Sequence, residues 1–164
     1  MIDLRAHIRD IPDFPKPGIV FKDITPLLLD PAALSDAVAG LAEWAGPRDV
    51  RYVVAAEARG FILGAALARE LGAGFVPARK PGKLPHQTVS AEYILEYGID
   101  ALEVHSDAFA HGARVLVHDD LLATGGTARA VCDLVERLGG FMVRRATARI
   151  LDEALEGLER ACAR

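Results

Sequence analysis

Residues 115–127 constrain the fold of this chain more than any other stretch. An apolar, β-type run ends in two adjacent carboxylates, Asp119 and Asp120, and a loop containing Gly125 and Gly126 leads into a helical pattern. This order predicts a strand, a tight turn and a helix N-terminus, where backbone N–H groups and the helix dipole favour an anion. Two carboxylates just ahead of such a site would repel a phosphate, so we expect them to bind neighbouring hydroxyls or a cation. A ribose 5-phosphate fits both parts of this site, with its 2- and 3-hydroxyls on the two carboxylates and its phosphate in the loop.

This junction could also be a purely structural turn or a different nucleotide motif. Strand–loop–helix junctions of this kind occur throughout α/β proteins, so the spacing alone leaves the structural turn open. The sequence contains no G-x-x-x-x-G-K-[ST], which excludes an ordinary P-loop. Gly72 and Gly74 form a G-x-G, but they precede a strand-like run and lack the third glycine of the dinucleotide fingerprint.

Strand and helix patterns alternate along the chain, which predicts an α/β fold with a central, mostly parallel sheet flanked by helices. Residues 80–92 are rich in proline, glycine and polar side chains and predict a long mobile loop, which in a compact domain is usually functional. The predicted helices cover residues 3–10, 31–44, 61–71 and 127–138, and the predicted strands cover 52–56, 74–79, 93–97, 101–105, 114–119 and 141–151.

Composition narrows the class of protein. The 164 residues suit one domain with a sizeable core, and 51% of them are hydrophobic. A net charge of −4 argues against nucleic-acid binding, and no apolar run reaches membrane-spanning length. The N-terminal residues are charged and mixed, unlike a signal peptide, and Cys132 and Cys162 are read as buried thiols in a reducing compartment. We therefore predict a cytoplasmic protein that contacts neither nucleic acid nor membrane.

Residues 115–127 resemble the phosphoribosyl-pyrophosphate (PRPP) signature of the type I phosphoribosyltransferases. Four further segments resemble the adenine phosphoribosyltransferases within that family and occur in the same order, the similarity running from about residue 8 to 136. The resemblance implies a single phosphoribosyltransferase domain over residues 1–164, with a small N-terminal hood at about 1–30 and a flexible catalytic lid at about 80–97. The segments are DFPKPGIVFKDIT (13–25), EARGF (57–61), FVPARKPGKLP (75–85) and LEYG (95–98).

The resemblance also implies a PRPP site. Arg59 would bind pyrophosphate, and the Glu57–Ala58 peptide bond would be cis. From the residues alone, Arg79, Lys80 and Lys83 are equally well explained as a solvated charge run. The family's counterpart of Arg79 reaches into the partner subunit's site, which implies a homodimer. The full set of implied PRPP-binding residues is Asp119, Asp120, Ala123, Thr124, Gly125, Gly126, Thr127, Arg59, Arg79, Lys80 and Lys83.

The base site is implied in the same way. Glu96 would lie over the purine and manage a ring proton, and Tyr97 would bring its hydroxyl to the pyrophosphate. Val20, Phe21 and Lys22 would form the hood that stacks on adenine and reads its edge through backbone groups, with Ile150 on the opposite wall. Without the resemblance, residues 19–22 would be explained as simple core packing. His118 replaces an apolar residue of the family and is predicted to point to the far face of the sheet.

The implied reaction is adenine plus PRPP giving AMP and pyrophosphate, a step of purine salvage. Arg59, Lys83, Tyr97 and Glu96 are the predicted catalytic residues. Mg²⁺ is the expected cofactor, held mainly by PRPP oxygens and water and not by protein side chains. Two alternatives keep the PRPP loop: a transferase for another purine base, such as a 6-oxopurine, and a non-catalytic PRPP-binding regulator.

Overall fold

Strands and helices alternate along the chain, as the hydrophobic patterns predict. The computed structural model describes residues 2–46, 48–95, 98–120 and 125–147. Within these residues a 3₁₀ helix (Leu4–His7) precedes, in chain order, β1 (Arg9–Pro12), β2 (Val20–Asp23), α1 (Thr25–Leu29), α2 (Pro31–Ala45), β3 (Tyr52–Ala56), α3 (Gly60–Glu70), β4 (Gly74–Ala78), β5 (Thr88–Leu95), β6 (Gly98–His105), β7 (Arg114–Asp119), α4 (Gly126–Arg137) and β8 (Phe141–Thr147).

A four-stranded sheet with the order β4-β3-β7-β8 forms the centre of the fold. All three strand pairings in it are parallel, so the predicted central sheet is confirmed. The carboxyl ends of parallel strands meet at one edge, and the residues that follow β3, β4 and β7 therefore lie close together. Those residues carry the predicted PRPP site.

Two apolar layers cover the faces of this sheet. On one face, Val53 of β3 and Leu116 of β7 pack with side chains of α2 and α3, including Leu63 and Leu67. On the other face, neighbouring positions such as Val117 pack against α4 and the ribbon of β5 and β6. Successive strand residues thus point to opposite buried faces, which explains their continuous apolar runs. In the described part of the chain, no helix has the length and apolar character needed to cross a bilayer.

The predicted central helices and strands agree with the structure to within a residue or two, except that residues 148–151 of the last predicted strand lie outside the described residues. Asp30 caps α2, since its carboxylate accepts hydrogen bonds from the N–H groups of Ala32 (2.8 Å) and Ala33 (3.1 Å), and Pro31 begins the helix. The prediction that His118 points away from α4 is confirmed. Its imidazole is fully buried beside Gly64 of α3.

The N-terminal helix prediction for residues 3–10 is wrong. Only Leu4–His7 is helical, as a single 3₁₀ turn, and β1 begins at Arg9. β1 pairs with β2 in an antiparallel hairpin, with Ile11 opposite Phe21. A strand of four residues is too short to show a clear alternation, so its partner strand decides its conformation.

The predicted loop over residues 80–92 is too long. β5 begins at Thr88 and pairs with β6 from Thr88–His105 to Leu95–Gly98, which leaves only residues 79–87 as the connection from β4. The predicted lid, 80–97, therefore contains a strand over most of its second half. The polar side chains of this strand conceal it in the sequence, because the two-stranded ribbon buries only part of its surface.

Candidate functional site

The predicted anion site lies at the carboxyl edge of the sheet, between β7 and α4. Asp119 ends β7, and its Oδ1 accepts a hydrogen bond of 2.9 Å from the N–H of Asp120. Gly125 caps α4 with φ of +78°, a backbone conformation that glycine adopts without strain, and Gly126 and Thr127 begin the helix. The structure thus brings these predicted residues together, whereas Ala123 and Thr124 lie outside the described residues.

Burial makes the acid pair a poor place for two negative charges. It raises the pKa of Asp119 to about 7, and the neighbouring charge of Asp120 adds to the effect. Burial also raises the pKa of Asp120, although the Arg59 guanidinium opposes this shift. A ligand that donates hydroxyl hydrogens, or a cation, would relieve both carboxylates.

Arg59 connects this acid pair with the N-terminal hairpin. It directly precedes α3, and its Nε lies 2.6 Å from Asp120 Oδ2. Its Nη1 donates a 3.3 Å hydrogen bond to the carbonyl of Lys22, and its guanidinium carbon lies 4.8 Å from the centre of the Phe21 ring. One arginine therefore touches the predicted ribose-binding acid and the predicted base-binding strand.

Gly60 allows α3 to start close to the acid pair. A Cβ added at this position would lie 3.3 Å from Asp119 Oδ1, closer than most Cβ contacts. A side chain here would therefore push α3 away from β7. The absence of one keeps the turn that carries Arg59 against the end of β7.

The predicted base-binding residues lie on β2. Val20 is 53% exposed, so the alternative of simple core packing is wrong for it, and the Phe21 ring meets Phe14 edge to face at 5.2 Å. Lys22 pairs through Nζ with Asp10 at 2.7 Å, which turns its side chain to the outer surface. Ile150, the predicted opposite wall, lies outside the described residues.

The three predicted lid cations have different surroundings. Arg79 Nε donates to Glu57 Oε2 at 2.8 Å within its own chain. Lys80 Nζ binds the carboxylate of Asp100 and lies 3.0 Å from the Tyr93 hydroxyl. Lys83 is exposed.

The charge state of these groups follows from their partners. Burial would lower the pKa of Lys80, but its hydrogen bonds to Asp100 and Tyr93 outweigh this and raise it. The Lys80 hydrogen bond lowers the pKa of Asp100. The pair is therefore ionised near neutral pH.

Two other predictions concern the turn after β3 and the end of the lid. The Glu57–Ala58 peptide bond is cis, as the resemblance implies. Glu96 and Tyr97, the predicted proton-managing acid and pyrophosphate-binding hydroxyl, lie outside the described residues.

The structure adds contacts that the sequence did not reveal. Glu57 and Asp100 bind predicted PRPP-binding cations, and Phe14 packs on the predicted base-binding Phe21. Asp100 lies 20 residues from Lys80, so no local spacing connects them. For Glu57, the position directly after a buried strand could have indicated a residue of the site, because the carboxyl ends of parallel strands meet at one edge of the sheet.

Comparison with known proteins supports the resemblance to the phosphoribosyltransferases. The family model of the phosphoribosyl transferase domain matches residues 28–158. An adenine phosphoribosyltransferase of Methylococcus capsulatus is 60% identical over 159 residues, covering 97% of this chain and 92% of that protein.

Solved structures agree with the sequence relatives. The crystal structure of adenine phosphoribosyltransferase from Rhodothermus marinus superposes with a TM-score of 0.86 at 51% identity, covering 96% of this chain and 89% of that one. The Saccharomyces cerevisiae enzyme, crystallised with an imino-altritol bisphosphate and adenine, gives a TM-score of 0.83 at 35% identity, covering 96% and 92%. The chain therefore belongs to the adenine phosphoribosyltransferase family, transferases of purine salvage that join adenine to the phosphoribosyl group of PRPP.

Proposed function

We propose that this chain transfers the 5-phosphoribosyl group of PRPP to adenine and releases AMP and pyrophosphate. The observation that carries the proposal is the pair of a half-buried Asp119 and a buried Asp120 beside the N-terminus of α4, joined by Arg59 to the hairpin strand β2. This arrangement can hold ribose hydroxyls, a 5-phosphate and a base side by side. It occurs in a chain whose relatives are named for this reaction.

In this proposal the protein holds the ribose, neutralises the leaving group and excludes water. Asp119 and Asp120 accept hydrogen bonds from the ribose hydroxyls, and residues 123–127 bind the 5-phosphate. The cations Arg59, Arg79, Lys80 and Lys83, with the Tyr97 hydroxyl, bind the pyrophosphate. Because the anomeric carbon gains oxocarbenium character as pyrophosphate leaves, little activation of the nucleophile is needed.

The base is held between Phe21 and the wall that we assign to Ile150. Val20 and Lys22 would present backbone groups to its edge, and Glu96 would exchange the proton of the ring nitrogen that becomes bonded to the sugar. Among the described residues, β2 pairs with no strand other than β1, so its other edge retains main-chain donors and acceptors besides the Lys22 carbonyl, which already accepts from Arg59 Nη1. This free edge supports recognition of the base by the backbone.

Mg²⁺ is expected to arrive with PRPP as part of the substrate. No cluster of three or more His, Cys, Asp or Glu side chains suited to a metal occurs in the described ranges. The bound ion would neutralise pyrophosphate charge.

We further propose that the enzyme is a cytoplasmic homodimer in which Arg79 reaches the neighbouring site.

Steady-state assays with adenine, hypoxanthine, guanine and xanthine at fixed PRPP and Mg²⁺ test the function. Adenine presents an amino donor beside an acceptor, and 6-oxopurines present the reverse pattern, which main-chain groups cannot rotate to match. Each mismatch should cost about 1–3 kcal/mol, so two should give at least about a hundredfold preference in kcat/KM. Comparable turnover of a 6-oxopurine would support the other transferase, and PRPP binding without turnover would support the regulator.

A further inference from the structure

Glu57 joins two segments of the PRPP site that are distant in sequence. It follows β3 directly and its side chain is only 13% exposed. Its Oε2 accepts a 2.8 Å hydrogen bond from Arg79 Nε, and its Oε1 accepts a 2.9 Å hydrogen bond from the N–H of Lys80. Both donors belong to the first two residues after β4. One carboxylate therefore holds the start of the lid against the end of the neighbouring strand.

The charge of Glu57 is retained. Burial alone would raise its pKa, but the hydrogen bond from the Lys80 N–H and the guanidinium of Arg79 outweigh burial, so that the pKa lies below its ordinary value. An ionised carboxylate close to a pyrophosphate site would weaken anion binding by repulsion. Here each carboxylate oxygen accepts a hydrogen bond from the segment that carries the lid cations, which explains how this charge can be tolerated.

Arg79 connects the Glu57 carboxylate with residues further along the lid. The Nη1 of Arg79 donates a 3.2 Å hydrogen bond to the carbonyl of Lys83, and the N–H of Lys83 donates to the carbonyl of Lys80 at the same distance. Two residues after Glu57, Arg59 pairs with Asp120. The turn that contains Glu57 thus contacts the lid through one end and the acid pair through the other.

We propose that Glu57 is a positioning residue that sets the direction of Arg79 and the backbone of Lys80 and Lys83 for binding the pyrophosphate of PRPP. The inference rests on the proposed function, since it takes these cations to bind PRPP. Glu57 acts through the Nε of Arg79, and the guanidinium takes its direction from that contact whether it serves its own site or the partner's. Glu57 itself contacts no substrate in this proposal.

The test compares Glu57→Gln with a matched change on the same segment. Glutamine keeps an acceptor for the Lys80 N–H but removes the charge that orients Arg79. The control is Glu103→Gln: Glu103 Oε2 accepts a 3.2 Å hydrogen bond from the Gly82 N–H, and its backbone pairs with that of Arg79. We measure Kd for PRPP with Mg²⁺ by titration calorimetry, KM for both substrates, kcat and the melting temperature.

Glu57→Gln should weaken PRPP binding and raise KM for PRPP about tenfold, the expected effect of losing a hydrogen bond to a charged group. KM for adenine should change by less than about twofold, and Glu103→Gln should match the wild type. In the background of Arg79→Gln, the added Glu57→Gln should have no further effect on PRPP binding, because its route through Arg79 is already lost.

Three results would overturn the proposal: unchanged PRPP binding, an equal rise of both KM values with a lower melting temperature, or additive effects of the two substitutions. If Glu57→Gln does not fold, Glu57→Asp, which keeps the charge but shortens the reach, is tested by the same criteria. A wild-type chain that neither binds PRPP nor forms AMP would instead refute the proposed function. If the wild-type chain binds PRPP and forms AMP, and Glu57→Gln binds PRPP equally well, only the role of Glu57 would be refuted.

Discussion

Asp119 and Asp120 are adjacent in sequence and yet have different surroundings. Asp120 pairs with Arg59 at 2.6 Å, whereas Asp119 accepts the Asp120 N–H and lies beside Gly60 at the start of α3. The sequence pattern predicts only a ligand as the partner of both acids. The structure shows that Arg59 already forms an ion pair with Asp120 in the free chain. A ribose hydroxyl would therefore bind Asp120 beside Arg59 or displace it.

Asp119→Asn should stabilise the ligand-free chain increasingly from about pH 4 to about pH 7, and the gain should level off above that range. The pKa of Asp119 is raised from 3.8 to about 7, mainly by burial, so the protonated acid is favoured in the folded state. The protonated Asp119 stabilises the folded state fully below the ordinary pKa of 3.8. This stabilisation is lost as the pH rises through the folded-state pKa of about 7. Asparagine is neutral throughout and keeps the oxygen that accepts the Asp120 N–H.

Thermal melts across this pH range check the prediction. The variant should exceed the wild type by a few degrees at the upper end, since ~1 kcal/mol corresponds to about 2–4 °C for a chain of this size. Asp133→Asn on α4 is the control for the loss of one carboxylate. A difference between Asp119→Asn and the wild type that does not vary with pH would contradict the assignment. Binding of PRPP should weaken in Asp119→Asn despite the gain in stability.

At the level of elements, the β5–β6 ribbon shortens the segment that can close over the site. Lys80 is tied to this ribbon through Asp100 and Tyr93, and Arg79 pairs with Glu103 of β6 through two backbone hydrogen bonds of 2.9 and 2.7 Å. The connection between β4 and β5 is therefore anchored at its start. Closure would be carried by residues 81–87, and β5 would serve as a fixed support.

Hydrogen exchange with and without PRPP and Mg²⁺ should locate the moving segment. The amides of residues 81–87 should gain at least about tenfold protection on binding, because few of them have backbone partners in the free chain. The β5 amides that pair with β6 should be protected in both states. The amides of α2, on the other side of the sheet, are the internal control. Equal protection of residues 81–87 in both states would contradict closure by this segment.

At the level of the whole molecule, three chain segments that are far apart in sequence converge at one edge of the sheet. Parallel packing of β3, β4 and β7 brings the turn at Arg59, the start of the lid at Arg79 and the acid pair together. The β1–β2 hairpin joins them through the contacts of Arg59 with Phe21 and Lys22. In our proposal, a partner subunit supplies the remaining component of the site.

Subunit mixing tests whether Arg79 acts in the partner's site. One variant carries Arg79→Ala and the other carries both Asp119→Asn and Asp120→Asn, and each should be nearly inactive alone. After unfolding and refolding together, half of the dimers would be mixed, and each of these would contain one intact site if Arg79 acts across the interface. Recovery of about a quarter of wild-type activity is then expected. If Arg79 acts only in its own chain, as its contact with Glu57 allows, mixing should recover none.

The sequence by itself determined the alternation of strands and helices, the parallel sheet, the strand–turn–helix at residues 115–127 and the family. These features depend on local patterns: buried strands are uniformly apolar, Asp30 and Pro31 mark a helix start, and Gly125 supplies a backbone conformation that other residues avoid. Tertiary structure decided what local patterns do not encode. The short strands β1 and β2 exist because they pair with each other, and β5 extends to Thr88 because β6 lies beside it. The partners of Arg59, Arg79 and Lys80 were likewise set by the packing of parallel strands, which brings distant charges within hydrogen-bond distance.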